Sequence, residues 1–112
     1  MEKSTTHLNY DERNDILYIY KDGSVKGNLV VGNIILDVTS KGNVIGIEIH
    51  NVTQMFENFT KDILRSASCA QLTVLKKRDT LTISFSIAAP QQPRQEAAVV
   101  IPTLTPSRAK ER

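Results

Sequence analysis

Along the first half of the chain, hydrophobic and polar positions alternate with a period of two, the spacing of half-buried strands. Residues 16–20, Ile-Leu-Tyr-Ile-Tyr, form a β-branched and aromatic run that predicts a strand. A shorter alternating piece, residues 7–10, precedes it across the polar cluster 11–15. The Lys21-Asp22-Gly23-Ser24 stretch then predicts a turn, because Asp-Gly tolerates positive φ. Residues 28–39 read as a further extended stretch, with Gly32-Asn33 as a bulge or kink. Ser40-Lys41-Gly42-Asn43 predicts a hairpin into residues 44–50. Side-chain parity across that hairpin sets Val38 opposite Ile45, Leu36 opposite Ile47 and Ile34 opposite Ile49, all on one apolar face. Asp37 then faces Gly46, and Ile35 faces Glu48, on the other side.

From Val52 to Ala67 the period becomes helical. Val52, Met55, Phe56, Phe59, Ile63 and Ala67 fall on one stripe, with Asn51 as N-cap and Gln54 completing a capping box. Residues 70–76 and 80–87 form a second hairpin around Lys77-Arg78-Asp79. In its second strand Leu81, Ile83, Phe85 and Ile87 point inward, and Thr82, Ser84 and Ser86 point to solvent. Beyond Ala89, four prolines and polar residues predict a disordered tail over 90–112, interrupted by the apolar patch Val99-Val100-Ile101. The expected architecture is therefore α+β and mostly antiparallel. A β-meander, one amphipathic helix and a β-hairpin make one domain over residues 1–89. The expected core is Ile34, Leu36, Val38, Ile45, Ile47, Ile49, Phe56, Phe59, Ile63, Ile83 and Phe85.

Composition narrows the function classes. The 112 residues suffice for one small core. Apolar residues make up 40%, aromatics only 5%, and there is no Trp. No apolar run reaches the ~20 residues of a membrane helix. Cys69 has no partner for a disulfide within the chain, so the cytosol is the expected compartment, with no membrane contact. The formal charge of +2 lies wholly after Pro90, in Arg94, Arg108, Lys110 and Arg112 against Glu96 and Glu111. A neutral body with a weakly basic tail lacks the dense stripe of a nucleic-acid footprint.

Candidate chemistry is sparse. Asp37, Glu48 and His50 share one sheet face in the predicted register, and a metal site or an acid–base pair can be drawn from them. No His-x-x-x-His or Cys-x-x-Cys spacing supports a metal, and a solvated polar face accounts for the same residues. Cys69 follows the predicted helix, where the dipole disfavours a thiolate, and reads as structural. Lys76, Lys77 and Arg78 sit at a hairpin tip, the one place besides the tail for a phosphate contact. Tyr18 and Tyr20 can stack on bases only if their strand face is open. Nothing predicts a cofactor.

Four dispersed elements carry a resemblance: Tyr10-Asp11; Asp15-Ile16-Leu17-Tyr18-Ile19; Ile34-Ile35-Leu36-Asp37; and Gly42-Asn43-Val44-Ile45-Gly46-Ile47-Glu48-Ile49. In this order, over residues 9–51, they resemble a family of small prokaryotic domains of unknown function. The resemblance implies fold more than activity, and by context it implies antitoxin-like partners of ribonuclease-like toxins for some members. The loop Val38-Thr39-Ser40-Lys41 departs from the pattern by lacking a second acid. The leading expectation is thus a non-enzymatic, cytosolic protein-interaction domain, homodimeric or antitoxin-like, with Val99, Val100 and Ile101 as contact residues. A small metal-dependent hydrolase using Asp37, Glu48 and His50 is the first alternative. A weak nucleic-acid binder through Lys76, Lys77, Arg78 and the tail is the second.

Overall fold

The computed structural model describes residues 6–102. Five strands come first: β1 (Thr6–Asp11), β2 (Ile16–Lys21), β3 (Gly27–Val31), β4 (Ile34–Val38) and β5 (Val44–His50). Two short helices follow, α1 (Val52–Met55) and α2 (Lys61–Arg65), then β6 (Cys69–Lys76), β7 (Thr80–Ala88) and β8 (Gln95–Pro102). The first five strands form an antiparallel sheet in the order β1-β2-β5-β4-β3, and the last three form a second sheet in chain order. This is the expected mostly antiparallel α+β architecture. Among the described residues no helix is long and apolar enough to cross a membrane.

The β4–β5 register follows the parity of the sequence for most of its length. Ile34 faces Ile49, Leu36 faces Ile47, Ile35 faces Glu48 and Asp37 faces Gly46. It departs at the hairpin end, where Val38 pairs with Val44 and not with Ile45. The loop is five residues long, not four. Thr39 organises it, its Oγ1 accepting from the N–H groups of Lys41 and Asn43, and Gly42 takes φ 81. The register shift puts the core methyls of Val44 where Ile45 was expected and leaves Ile45 half-buried, reaching toward Gly23. The Gly32-Asn33 pair is no bulge within one long strand. It is a two-residue hairpin loop between β3 and β4, with Gly32 supplying φ 58 at the first loop position.

The expected stripe holds only in part. Val52 and Phe59 are buried and Phe56, Ile63 and Ala67 half-buried, but Met55 is exposed and Leu64, off the stripe, is buried. The single helix expected over residues 52–67 is two. Phe56 takes an extended conformation (φ −130, ψ 106) and ends α1; Thr60 starts α2 by accepting from the Ile63 N–H at 3.2 Å. Asn58, Phe59 and Thr60 are weak helix formers, and the Thr60 hydroxyl stabilises a fresh N-terminus at that point. The break lets Phe56 and Phe59 close on Phe85, with ring centroids 5.7 and 5.5 Å from it. Asn51 is in the left-handed region and makes no side-chain cap bond, so the expected capping box does not form.

The tail expectation also changes in its first part. Gln95–Pro102 pairs with β7 along its whole length, with Gln95, Ala97, Val99 and Ile101 on the covered face. Pro93 and Pro102 bracket this edge strand and do not prevent it. Residues 103–112, the rest of the expected disordered tail, lie outside the described residues. Inner-face side chains of both sheets join those of the helices in one core, in which Leu17, Ile19, Leu36, Ile47, Ile49, Val52, Phe59, Ile83 and Ile87 are fully buried. Each such side chain contributes roughly 1.5–3 kcal/mol. The second sheet and the helices all draw on this inner face, so the polar residues of the first sheet face outward.

Candidate functional site

Parity places Tyr18 and Tyr20 of β2, Gly46, Glu48 and His50 of β5, and Asp37 of β4 on that outer face, with His7 of β1 and Asn28 of β3 at its sides. Asp37 is its centre. Asp37 is only 8% exposed, yet both carboxylate oxygens are satisfied: the Tyr18 hydroxyl donates to Oδ2, and Asn28 Nδ2 donates to Oδ1 at 2.7 Å. Burial, the hydrogen bond to Asp37 and its negative charge together push the Tyr18 hydroxyl pKa upward, so Tyr18 is a firm donor and not a base. Tyr20 stacks on Tyr18 with centroids 4.4 Å apart, and His7 leans on Tyr20 at 5.0 Å while its Nε2 meets Asp22 at 2.8 Å. The face therefore offers an aromatic ledge beside a saturated acid.

Gly46 is what admits that acid. A methyl group there would lie 2.7 Å from Asp37 Oδ2, 3.1 Å from Tyr20 Cβ and 3.3 Å from Asp37 Cβ. The carboxylate is locked by Tyr18 and Asn28, and the other two atoms are rooted in the backbone. Gly46→Ala should therefore lower stability by about 1–3 kcal/mol, measured by urea unfolding. A neutral result would mean that Asp37 swings aside freely.

The predicted trio shares this face but does not converge. Glu48 is taken by His50, Oε2 to Nε2 at 2.7 Å, while Asp37 is one rung away with Tyr18 and Asn28. Among the described residues no three His, Cys, Asp or Glu side chains come together as a metal site. Lys76, Lys77 and Arg78 are exposed at the β6–β7 end, as expected, but the outer face of that sheet carries Gln71, Thr73, Ser84 and Ser86 and no aromatic ring. Of the apolar patch, Val99 is half-buried, Ile101 is buried against the core, and Val100 is exposed, flanking Thr82 with Leu75 on the far side. Cys69, read from the sequence as structural, is exposed at the start of β6.

Two features escaped the sequence reading. The first is Asp15. Its side chain accepts from the Tyr10 hydroxyl at 2.7 Å and from Thr53 Oγ1 at 2.7 Å, and its backbone carbonyl accepts from Val52 N. Asp15 thereby caps α1 from a distant loop, which is why Asn51 has no capping to do. The second is the free edge of the larger sheet. Four of the exposed large apolar residues, Val25, Leu29, Val30 and Val31, lie on β3 or its approach, and Val30 is 70% exposed. Leu29 and Val31 belong to the inner-face parity, opposite the buried Leu36 and Ile34, yet stay uncovered. The uncharged run Leu-Val-Val before a Gly-Asn loop was the available signal.

The model of a family described as "Protein of unknown function (DUF2283)" matches residues 7–52, the span from β1 to the start of α1. Over 81 residues the chain is 30% identical to the uncharacterized protein MJ0789 of Methanocaldococcus jannaschii, covering 71% of this chain and 70% of that protein. No solved structure matches the chain. The matched span contains the Tyr10–Asp15 and Tyr18–Asp37 pairs and Gly46, so the residues that carried the resemblance hold the sheet together.

Proposed function

The chain belongs to the DUF2283 family, proteins of unknown function, and from that premise we propose that it is a non-enzymatic protein-interaction module that works through the β3 edge of its larger sheet. The observation that carries this reading is the concentration of exposed Leu29, Val30 and Val31 on one unpaired edge, with exposed Val25 just before it. Edge strands that stay free are ordinarily guarded by charge or proline, and an apolar patch on them marks a contact. The other edges carry such guards: Asp11 on β1, Lys76 on β6, Glu96 and Pro102 on β8. The polar face supports the same reading, because Asp37 is held by Tyr18 and Asn28, Glu48 is held by His50, and Asp37, Glu48 and His50 do not converge on one point. An antitoxin-like partner fits this mode, since main-chain pairing tolerates many sequences.

A photo-crosslinking phenylalanine derivative at Val30, introduced into the full chain in cells, should give one discrete protein adduct. The same group at Glu57, which is exposed in the loop between α1 and α2, should not. Equal, diffuse labelling from both positions would remove the reading.

A further inference from the structure

We infer that the occupant of the β3 edge is β3 of a second copy, paired antiparallel about a two-fold axis at Leu29, which joins two five-stranded sheets into one of ten strands. This rests on the edge being the contact surface and adds which chain fills it. The two-residue loop closes on a hydrogen-bonded Val31–Ile34 pair, so the alternation of the ladder turns the main-chain groups of Gly27, Leu29 and Val31 toward β4. Those of Asn28 and Val30 therefore point away, at the free edge. Setting Leu29 opposite Leu29 of the second copy brings Asn28 opposite Val30 and Val30 opposite Asn28. Every outward N–H then meets an outward C=O, four bonds in all, and Leu29 sits at a non-hydrogen-bonded position where side chains approach most closely.

Side chains suit the same register. On the inner-face side Leu29 meets Leu29, and each Val31 falls opposite a Gly27, whose missing side chain leaves room for it. The strand is uncharged from Gly27 to Val31, so the symmetric pairing sets no like charges together. Leu29 and Val31 are 51% and 40% exposed, and they continue the row that Leu36 and Ile34 begin inside the core. A second copy thus extends the apolar inner face across the junction. With Val25 and Val30 the exposed apolar side chains amount to roughly 300 Å² per copy; backbone and the flanking Lys26, Gly32 and Asn33 bring the pair toward the ~1,000 Å² of a small specific interface. Two-fold pairing is also the commonest way for a chain to cover such an edge.

Sedimentation equilibrium of the full chain at tens of micromolar should give a dimer. Val30→Lys, at a site already open to solvent, should weaken it by about 10-fold or more while leaving the circular dichroism and melting curve of the subunit intact. Register is read in a Cys69→Ser background. Leu29→Cys should form an intermolecular disulfide on oxidation, because its Cα faces its own copy. Val30→Cys should not, since the two copies of residue 30 lie beyond the ~7 Å that a disulfide spans. A dimer indifferent to Val30→Lys, or one linked through residue 30 and not 29, overturns this pairing. A monomer that still gives a discrete adduct from Val30 with a different protein overturns the second copy but leaves the interaction edge standing. A monomer with no adduct overturns both.

Discussion

Phe59→Ala is expected to lower the unfolding free energy by about 3–5 kcal/mol, the cost of truncating a fully buried phenylalanine. Phe59 has no exposed surface and packs between Phe56 and Phe85, with ring centroids 5.8 and 5.5 Å away. Together with Phe56 it ties the irregular segment between α1 and α2 to Phe85 of β7 in the second sheet. Removing the ring forfeits its transfer free energy, the aromatic contacts and the filling of the site, and the strands on either side are too constrained by their ladders to close the gap. Total stability of a domain this size is about 5–15 kcal/mol, so the loss takes a large share. Urea unfolding should show the midpoint falling with an unchanged slope. Phe56→Ala should cost clearly less, because Phe56 is only half-buried. A loss below about 1.5 kcal/mol for Phe59 would mean that the segment is a loose cover and not part of the core.

How far this arrangement could be read in advance depended on how local its causes are. The β4–β5 register was legible from parity because a slip of one residue would turn Ile47 and Ile49 out of the core. The alternation of Leu81, Ile83, Phe85 and Ile87 likewise announced β7. The helix break was not legible. The apolar stripe runs through Phe56 and Phe59 whether or not the backbone is continuous, and only the docking of both rings on Phe85 favours the bend. In β8 the inward set Gln95, Ala97, Val99 and Ile101 does alternate, but Pro93 and Pro102 drew attention to interruption over pairing. The Asp37 cluster depended on β2 lying beside β5, a neighbour relation between distant segments that no turn motif encodes. The exposure of Leu29, Val30 and Val31 is a property of what fails to cover them. Sequence alone gives the apolar character of such residues and not their surroundings, and for that reason it points equally to Val99-Val100-Ile101, two of which are turned into the fold.

Asp15→Ala is expected to cost about 2–4 kcal/mol and to flatten the acid limb of the stability profile. One carboxylate serves three donors from two elements: Tyr10 Oη on β1, and Thr53 Oγ1 and N at the start of α1. Truncation leaves the Tyr10 hydroxyl without its acceptor and α1 without its cap, and it asks alanine to hold φ 58, a region Asp and Asn tolerate better. Burial pushes the Asp15 carboxyl up, but the hydrogen bonds from Thr53 and Tyr10 outweigh it and hold the group below its ordinary value of 3.8. The folded state therefore binds this proton less readily than the unfolded chain. The stabilisation is complete above the ordinary carboxyl range and is withdrawn as the pH falls through the lower, folded value. Asp11, depressed by the Asn14 side chain, and Glu12, depressed by Arg65, add to the same acid limb, so the profile of the variant should flatten in part and not vanish. Asp15→Asn separates the two contributions. It keeps the left-handed backbone preference but offers an NH2 in place of one accepting oxygen, and it cannot titrate. Melting temperatures measured between neutral pH and about pH 3 should show Asp15→Asn less stable than the parent at neutral pH, with the gap narrowing as the parent protonates. A gap that stays constant down to that pH would mean that the charge on Asp15 contributes nothing and that shape alone holds β1 to α1.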